Sequence, residues 1–311
     1  MSSVNTGSFP HFDQPVPSRG YQWWYVDASN ADGSEHLVMI AFVGSVFSPW
    51  YGRACDAGPA DPMDFCALNV ALYRKGGKRW ALTEIPRAEI TREKDTFGLG
   101  PSSLTWRDDK LVIDVKEREV PLPRAMAGRI VVTPQALTPV DRVLDRDARH
   151  HWWPLAPQCD VEVSFDKPDW RWRGRGYFDS NRGSEPLQDG FLSWNWSRQH
   201  VDGGSLLTYN ALPRSGEPIP LALNISDAGE VSEQASASPQ RLKTGLWGIT
   251  GEAAVAAPVK SLKLLEDTPF YTRGIVTLEG GEALMHESLN LTRFCKPWVR
   301  FLLPFRTRNR R

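Results

Sequence analysis

The feature that most restricts this chain is its punctuation. Short runs rich in Val, Leu, Trp, Tyr and Phe recur from Tyr21 to Leu291, and turn residues separate most of them. Among them are "GYQWWYVDA", "HLVMIAFVGSVF", "FCALNVALY", "KRWALTEI", "KLVIDVKERE", "GRIVVTP", "DWRWRGRGYF", "GFLSWNWSRQ" and "GSLLTYNAL". Asp32-Gly33, Gly76-Gly77, Asp202-Gly203-Gly204 and Glu279-Gly280-Gly281 lie between runs, and such pairs favour tight reversals. Alternation has period two: Phe65, Ala67, Asn69, Ala71 and Tyr73 share one face, and Cys66, Leu68, Val70 and Leu72 the other. Helical periodicity is scarce, and "RVLDRDARHHWW" is its best case. Eleven or more such runs predict an antiparallel all-β protein. At 311 residues, two barrels or sandwiches fit better than one. The Pro-containing segment after "HHWWPLAPQ" predicts a boundary near residue 160, giving domains 1–160 and 161–311.

Charge excludes some functions. With 37 basic and 37 acidic residues the chain has no net field to draw nucleic acid. Cys55, Cys66, Cys159 and Cys295 show no CxxC pairing and no Cys/His metal clustering, so they read as reduced thiols of a cytosolic protein. The N-terminal residues lack a basic stretch followed by an apolar run, and no segment approaches the roughly 18 apolar residues of a spanning helix. The expectation is a soluble or peripheral protein. The C-terminal "RFCKPWVRFLLPFRTRNRR" interleaves Trp298, Phe301, Leu302, Leu303 and Phe305 with Arg300, Arg306, Arg308, Arg310 and Arg311. It reads either as a segment lying on an anionic membrane or as a tail packed on the last barrel. "GSVFSPWYGR" reads as a loop with exposed aromatics, either ordinary or a lip for an apolar ligand. Nothing indicates oligomeric state.

Chemistry concentrates in His150 to Arg198, which holds six of the 13 Trp and two of the six His. Asp179 follows a Tyr-Phe pair there. An acid among aromatics is pushed toward its neutral, proton-donating form; the same residue also suits a turn cap. If their segments are extended, His150 shares a face with Trp152, and Tyr177 with Asp179. Without further information His150, Trp152 and Tyr177 serve equally as structural core. Arg171, Arg173 and Arg175 fall on the face of Asp179 under strict alternation, unless Gly174 and Gly176 mark a bulge that resets it.

The motifs "GYQWWYVDA", "MIAFVGSVFSPWY", "ALNVALY", "RWALTE" and, most specifically, "GRGYFDSNRGSEPLQDGFLSWNWSR" resemble the carotenoid 1,2-hydratase (hydroxyneurosporene synthase) family. The resemblance spans roughly Gly20 to Phe294. It implies two lipocalin-like antiparallel β-barrels side by side. It also implies cofactor-free hydration of the terminal double bond of an acyclic carotenoid such as neurosporene or lycopene. The substrates are then the carotenoid and water, at the cytoplasmic side of an inner, photosynthetic membrane. His150, Trp152, Tyr177 and Asp179 match that family's active-site positions, although the double His leaves room for His151 and Trp153. Asp179 is then the proton donor, His150 orients the acid or the water, and the two aromatics face a carbocation. A carrier of apolar ligands, or an isomerase, cyclase or pericyclase on the same barrels, makes equal use of such aromatic lining.

Overall fold

A computed structural model describes residues 11–214 and 216–310. Residues 1–10 and Arg311 of the basic tail lie outside the described residues. The chain divides into two compact units: residues 1–141 with 152–186 and 302–311, and residues 142–151 with 187–301.

The first unit is built on one long sheet. Its strands are β1 (Tyr21–Asn30), β2 (His36–Val43), β3 (Ala67–Arg74), β4 (Gly77–Glu84), β5 (Ile90–Arg92), β6 (Thr96–Leu99), β7 (Ser102–Arg107), β8 (Lys110–Arg118), β9 (Ala125–Pro134), β10 (His150–Lys167) and β11 (Asp169–Gly183). Neighbours run β4-β3-β2-β1-β11-β10-β9-β8-β7-β6-β5. The sheet curls until β4 meets the end of β8: Val120 N donates to Trp80 O at 3.1 Å, and Thr83 Oγ1 to Glu117 Oε2 at 2.6 Å. Inside the curl lie Trp24, Val26, Met39, Leu68, Val70, Ile113, Ile130, Val163 and Phe178. These are alternate residues of their strands, and the two-residue period read for residues 65–73 holds.

The β1 strand is apolar on both faces and buried on both. Trp24 and Val26 enter the barrel core, while Tyr21, Trp23 and Tyr25 lie on the opposite face with 1%, 8% and 5% exposure. A strand covered on both sides needs a continuous hydrophobic run, which "YQWWYV" supplies. Only Trp24 of these four aromatics lines the barrel core.

Several expectations are corrected. A cut at residue 160 falls inside β10, because β10 pairs with β9 (Val161↔Val132) and β11 pairs with β1, so residues 152–186 complete the first barrel. The helical reading of "RVLDRDARHHWW" fails. Asp145 Oδ1 accepts from the backbone N–H of Arg149 and of His150, both at 2.9 Å, and this turn chemistry outcompetes a helix. "SPWYGRACDA" is a helix, Pro49–Ala57, capped by the Ser48 side chain, with Tyr51 buried and its hydroxyl bonded to Gly20 O. The end of the tail, not the whole of it, packs on the first barrel: Arg308–Asn309 pairs with Thr83–Glu84, Arg310 Nη2 bonds Glu89 at 2.7 Å, and the Arg306 guanidinium lies 4.6 Å from the Trp80 ring centre.

The second unit holds an antiparallel sheet ordered Val231–Glu233, Ile219–Ser226, Gly204–Pro213, Phe191–Val201, Ala283–Asn290, Tyr271–Leu278 and Val259–Asp267. The short pair Pro239–Arg241 and Glu252–Ala254 brings Leu242 and Ala253 onto Val276, Leu278 and Leu284. Among the described residues no helix is long and apolar enough to cross a membrane.

Candidate active site

Alternation along β11 decides which side chains meet. Phe178 points into the barrel core, so Tyr177 and Asp179 point to the opposite face. On the neighbouring strand β10, Trp152 reaches the same place. Trp152 Nε1 donates to Asp179 Oδ2 at 3.0 Å, and Tyr177 Oη donates to the same oxygen at 2.8 Å. Trp152 Nε1 also lies 3.1 Å from Tyr177 Oη, closing a three-membered cluster. Trp152 and Tyr177 are fully buried, and Asp179 is 5% exposed. Burial holds the Tyr177 hydroxyl well above its ordinary value, so it remains a donor.

His150, two residues before Trp152, belongs to the second unit. It is fully buried, its ring 4.6 Å from that of Phe191. Gly190 makes room for it: a Cβ there would collide with His150 Nε2. His151 is only partly buried and its Nε2 bonds Ala148 O at 3.0 Å. Thus Trp152, Tyr177 and Asp179 are brought together in one unit, and His150 is set in the other.

The arginines do not crowd the acid. The β1–β11 ladder runs without a break from Tyr21↔Gly183 to Asn30↔Gly174, so no bulge resets the alternation. Gly174 and Gly176 serve close packing instead. A Cβ on Gly174 would overlap Ser29 O, and one on Gly176 would lie 2.5 Å from Val161 Cγ2. Arg171, Arg173 and Arg175 do share the parity of Asp179, but they are exposed further along the strand. Arg173 pairs with Glu162 at 3.0 Å and Arg171 with Asp166 at 2.6 Å. At about 3.3 Å per residue Arg173 stands roughly 20 Å from Asp179 along the strand, beyond the screening length of physiological salt.

Two neighbours were not anticipated. Tyr25 lies opposite Asp179 in the ladder and its ring meets that of Tyr177 edge-on at 6.2 Å. Asp27 lies opposite Tyr177, is fully buried, and its charge also pushes the Tyr177 hydroxyl upward. The available signal was an Asp inside the otherwise apolar run "YVDA", where a carboxylate is costly without a role. Among the described residues no three His, Cys, Asp or Glu side chains gather as metal ligands.

The arrangement defines an all-β lipocalin-like protein carrying a buried acid hydrogen-bonded by two aromatic donors. A solved structure of this architecture, a putative AttH from Nitrosomonas europaea, superposes with a TM-score of 0.62 over 93% of this chain and 99% of that one; at 14% identity it bears on the fold alone. The chain belongs to the carotenoid hydratase CrtC family, whose model matches residues 39–311. It is 46% identical over 305 residues to the acyclic carotenoid 1,2-hydratase of Thiocapsa roseopersicina, covering 96% of this chain and 75% of that one. The acyclic carotenoid 1,2-hydratase of Rubrivivax gelatinosus is 43% identical over 309 residues, with 96% and 75% covered.

Proposed function

We propose that this chain adds water across the terminal 1,2 double bond of acyclic carotenoids such as neurosporene and lycopene. The product is a tertiary 1-hydroxy carotenoid, and no cofactor takes part. Family membership supports the reaction class. The observation that carries the assignment of the acid is the pair of donors on one buried oxygen, Asp179 Oδ2.

The resemblance makes Asp179 the proton donor; with Oδ2 accepting from both Trp152 and Tyr177, the proton it carries sits on Oδ1. In the reaction that proton moves to C2 of the alkene, and the C1–C2 π pair forms the new C–H bond. The positive charge appears at tertiary C1. Water attacks C1, and its surplus proton returns to the carboxylate, restoring the acid and adding one water in total. As Asp179 becomes anionic, the bonds from Tyr177 and Trp152 become charge-assisted. That raises each from about 0.5–1.5 to about 1.5–3 kcal/mol. A gain of roughly 1 kcal/mol per donor lowers the barrier by about 2 kcal/mol, roughly thirtyfold in rate. The aromatic rings of Trp152 and Tyr177 are suited to a cation on C1. The resemblance gives His150, the buried histidine of the pair, the role of orienting the acid or the water. Because the substrate is a hydrocarbon dissolved in lipid, the protein works as a peripheral protein on the cytoplasmic face of the membrane.

The test uses the purified chain with lycopene or neurosporene in detergent micelles, without oxygen or added cofactor, in water labelled with heavy oxygen. One labelled oxygen per hydrated end is expected. An unlabelled isomer would replace hydration with rearrangement, and an unchanged carotenoid would leave only a carrier. Asp179→Asn, folded by circular dichroism, should lose activity by a factor on the order of 10³. Tyr177→Phe should lose roughly fivefold to tenfold, the share of one donor.

A further inference from the structure

The second unit carries an exposed apolar patch assembled from two distant segments. Leu246 and Trp247 stand at the tip of one loop, 99% and 45% exposed. Trp298 and Phe301, 45% and 67% exposed, project from the short helix Pro297–Leu302. The two Trp rings stack at 6.3 Å with 20° between planes. Scattered single apolar side chains on a surface need no explanation, but two stacked Trp rings, each with an exposed apolar neighbour in its own segment, do.

The patch is held in place. Leu246 N donates to Asp267 Oδ2 at 2.6 Å, Gly245 N to Ile249 O at 2.9 Å, and Gly248 N to Gly245 O at 3.0 Å. Gly248 has φ +76°, a conformation that favours glycine. Arg293 ties the two segments together: its Nη1 donates to Gly248 O at 3.2 Å, and its guanidinium lies 5.9 Å from the Trp298 ring centre.

The two segments that carry the patch are basic. Residues 242–251 and 291–301 contribute Lys243, Arg293, Lys296 and Arg300 and contain no Asp or Glu. The acid beneath the loop, Asp267, is engaged by Leu246 N. We propose that this patch docks the protein on an anionic bilayer, with Leu246, Trp247, Trp298 and Phe301 in the interfacial layer and the four cations at lipid phosphates. Trp and Phe beside Lys and Arg suit that boundary. A second copy is a poorer occupant, because a two-fold contact would set like charges against like. The inference rests on the reading that the substrate is dissolved in the membrane. It confines the membrane contact of the C-terminal segment to its first part, since Arg306 and Arg310 are engaged with Trp80 and Glu89.

The experiment is flotation of the full chain with vesicles of phosphatidylcholine, with and without phosphatidylglycerol, beside activity in detergent micelles. The wild type should float with the anionic vesicles, less so as salt rises. Leu246→Glu/Trp247→Glu should reduce binding at least tenfold, and Lys243→Glu/Lys296→Glu should abolish the preference for anionic lipid. Both variants should keep wild-type activity in micelles. Wild-type levels of vesicle binding by the Leu246→Glu/Trp247→Glu protein would overturn the proposal. So would a wild type that ignores vesicles and instead forms a dimer that the same substitutions dissolve. A wild type that floats as described but hydrates no carotenoid in micelles would leave the docking face standing and remove the hydratase reading.

Discussion

At the residue scale, burial and hydrogen bonding act together at two groups. Around Asp179, two neutral donors converge on one oxygen, and the hydroxyl of one of them is itself made less acidic by burial. In the second unit, His286 is enclosed by Ser197 Oγ at its Nδ1 and Ser288 Oγ at its Nε2, each at 2.9 Å. Ser288 donates its own proton to Asn195 Oδ1 at 2.7 Å, so its oxygen accepts from His286 Nε2–H, and the ring is neutral. Burial lowers this histidine from 6.5 to about 3. Above pH 6.5 the folded and unfolded chains are alike at this site. Below it the unfolded chain takes up a proton that the folded one refuses, so stability falls as pH drops from about 6.5 toward about 3. The slope approaches roughly 1.4 kcal/mol per pH unit. His286→Gln, which retains a donor and an acceptor, should flatten that slope in urea unfolding between about pH 7 and about pH 5. Parallel curves for the two proteins would show that His286 does not titrate this way.

At the element scale, the β1–β11 ladder is what places Asp179. Its unbroken register keeps Tyr177 and Asp179 on one face and Phe178 on the other. The ladder depends on backbones approaching closely at Gly174, where an added Cβ would run into Ser29 O. Gly174→Ala should destabilise the protein by about 1–3 kcal/mol, read as a fall in thermal midpoint. Gly52→Ala is the control: it lies in a helix with nothing within 4 Å of an added methyl, and should be neutral or mildly stabilising. Equal effects would mean that the close approach carries no cost. The turn at residues 145–149 shows the opposite lesson, since an Asp side chain there overrode a helical pattern of apolar residues.

At the scale of the whole molecule, the first barrel is completed by strands that come after an excursion into the second unit. A fragment of residues 1–160 therefore lacks β11 and leaves the β1 edge without its neighbour. It should show no cooperative thermal transition, and a sharp one would mean that residues 161–186 are dispensable to that barrel. The all-β class, the β1–β2 and β3–β4 hairpins and the faces of β3 were all legible along the chain, because a period of two and glycine-bearing turns are local signals. Trp152, Tyr177 and Asp179 were also singled out along the chain, and hydrogen bonds join them. Which residues share a unit was not legible, since strand order depends on pairings between segments far apart in the sequence. The tertiary structure alone turned Asp179 away from the barrel core, set Asp27 and Tyr25 across the ladder from Tyr177 and Asp179, and assigned His150 to a different unit from Trp152. Alternation states that neighbouring side chains face opposite ways, but only packing determines which of the two faces becomes the core.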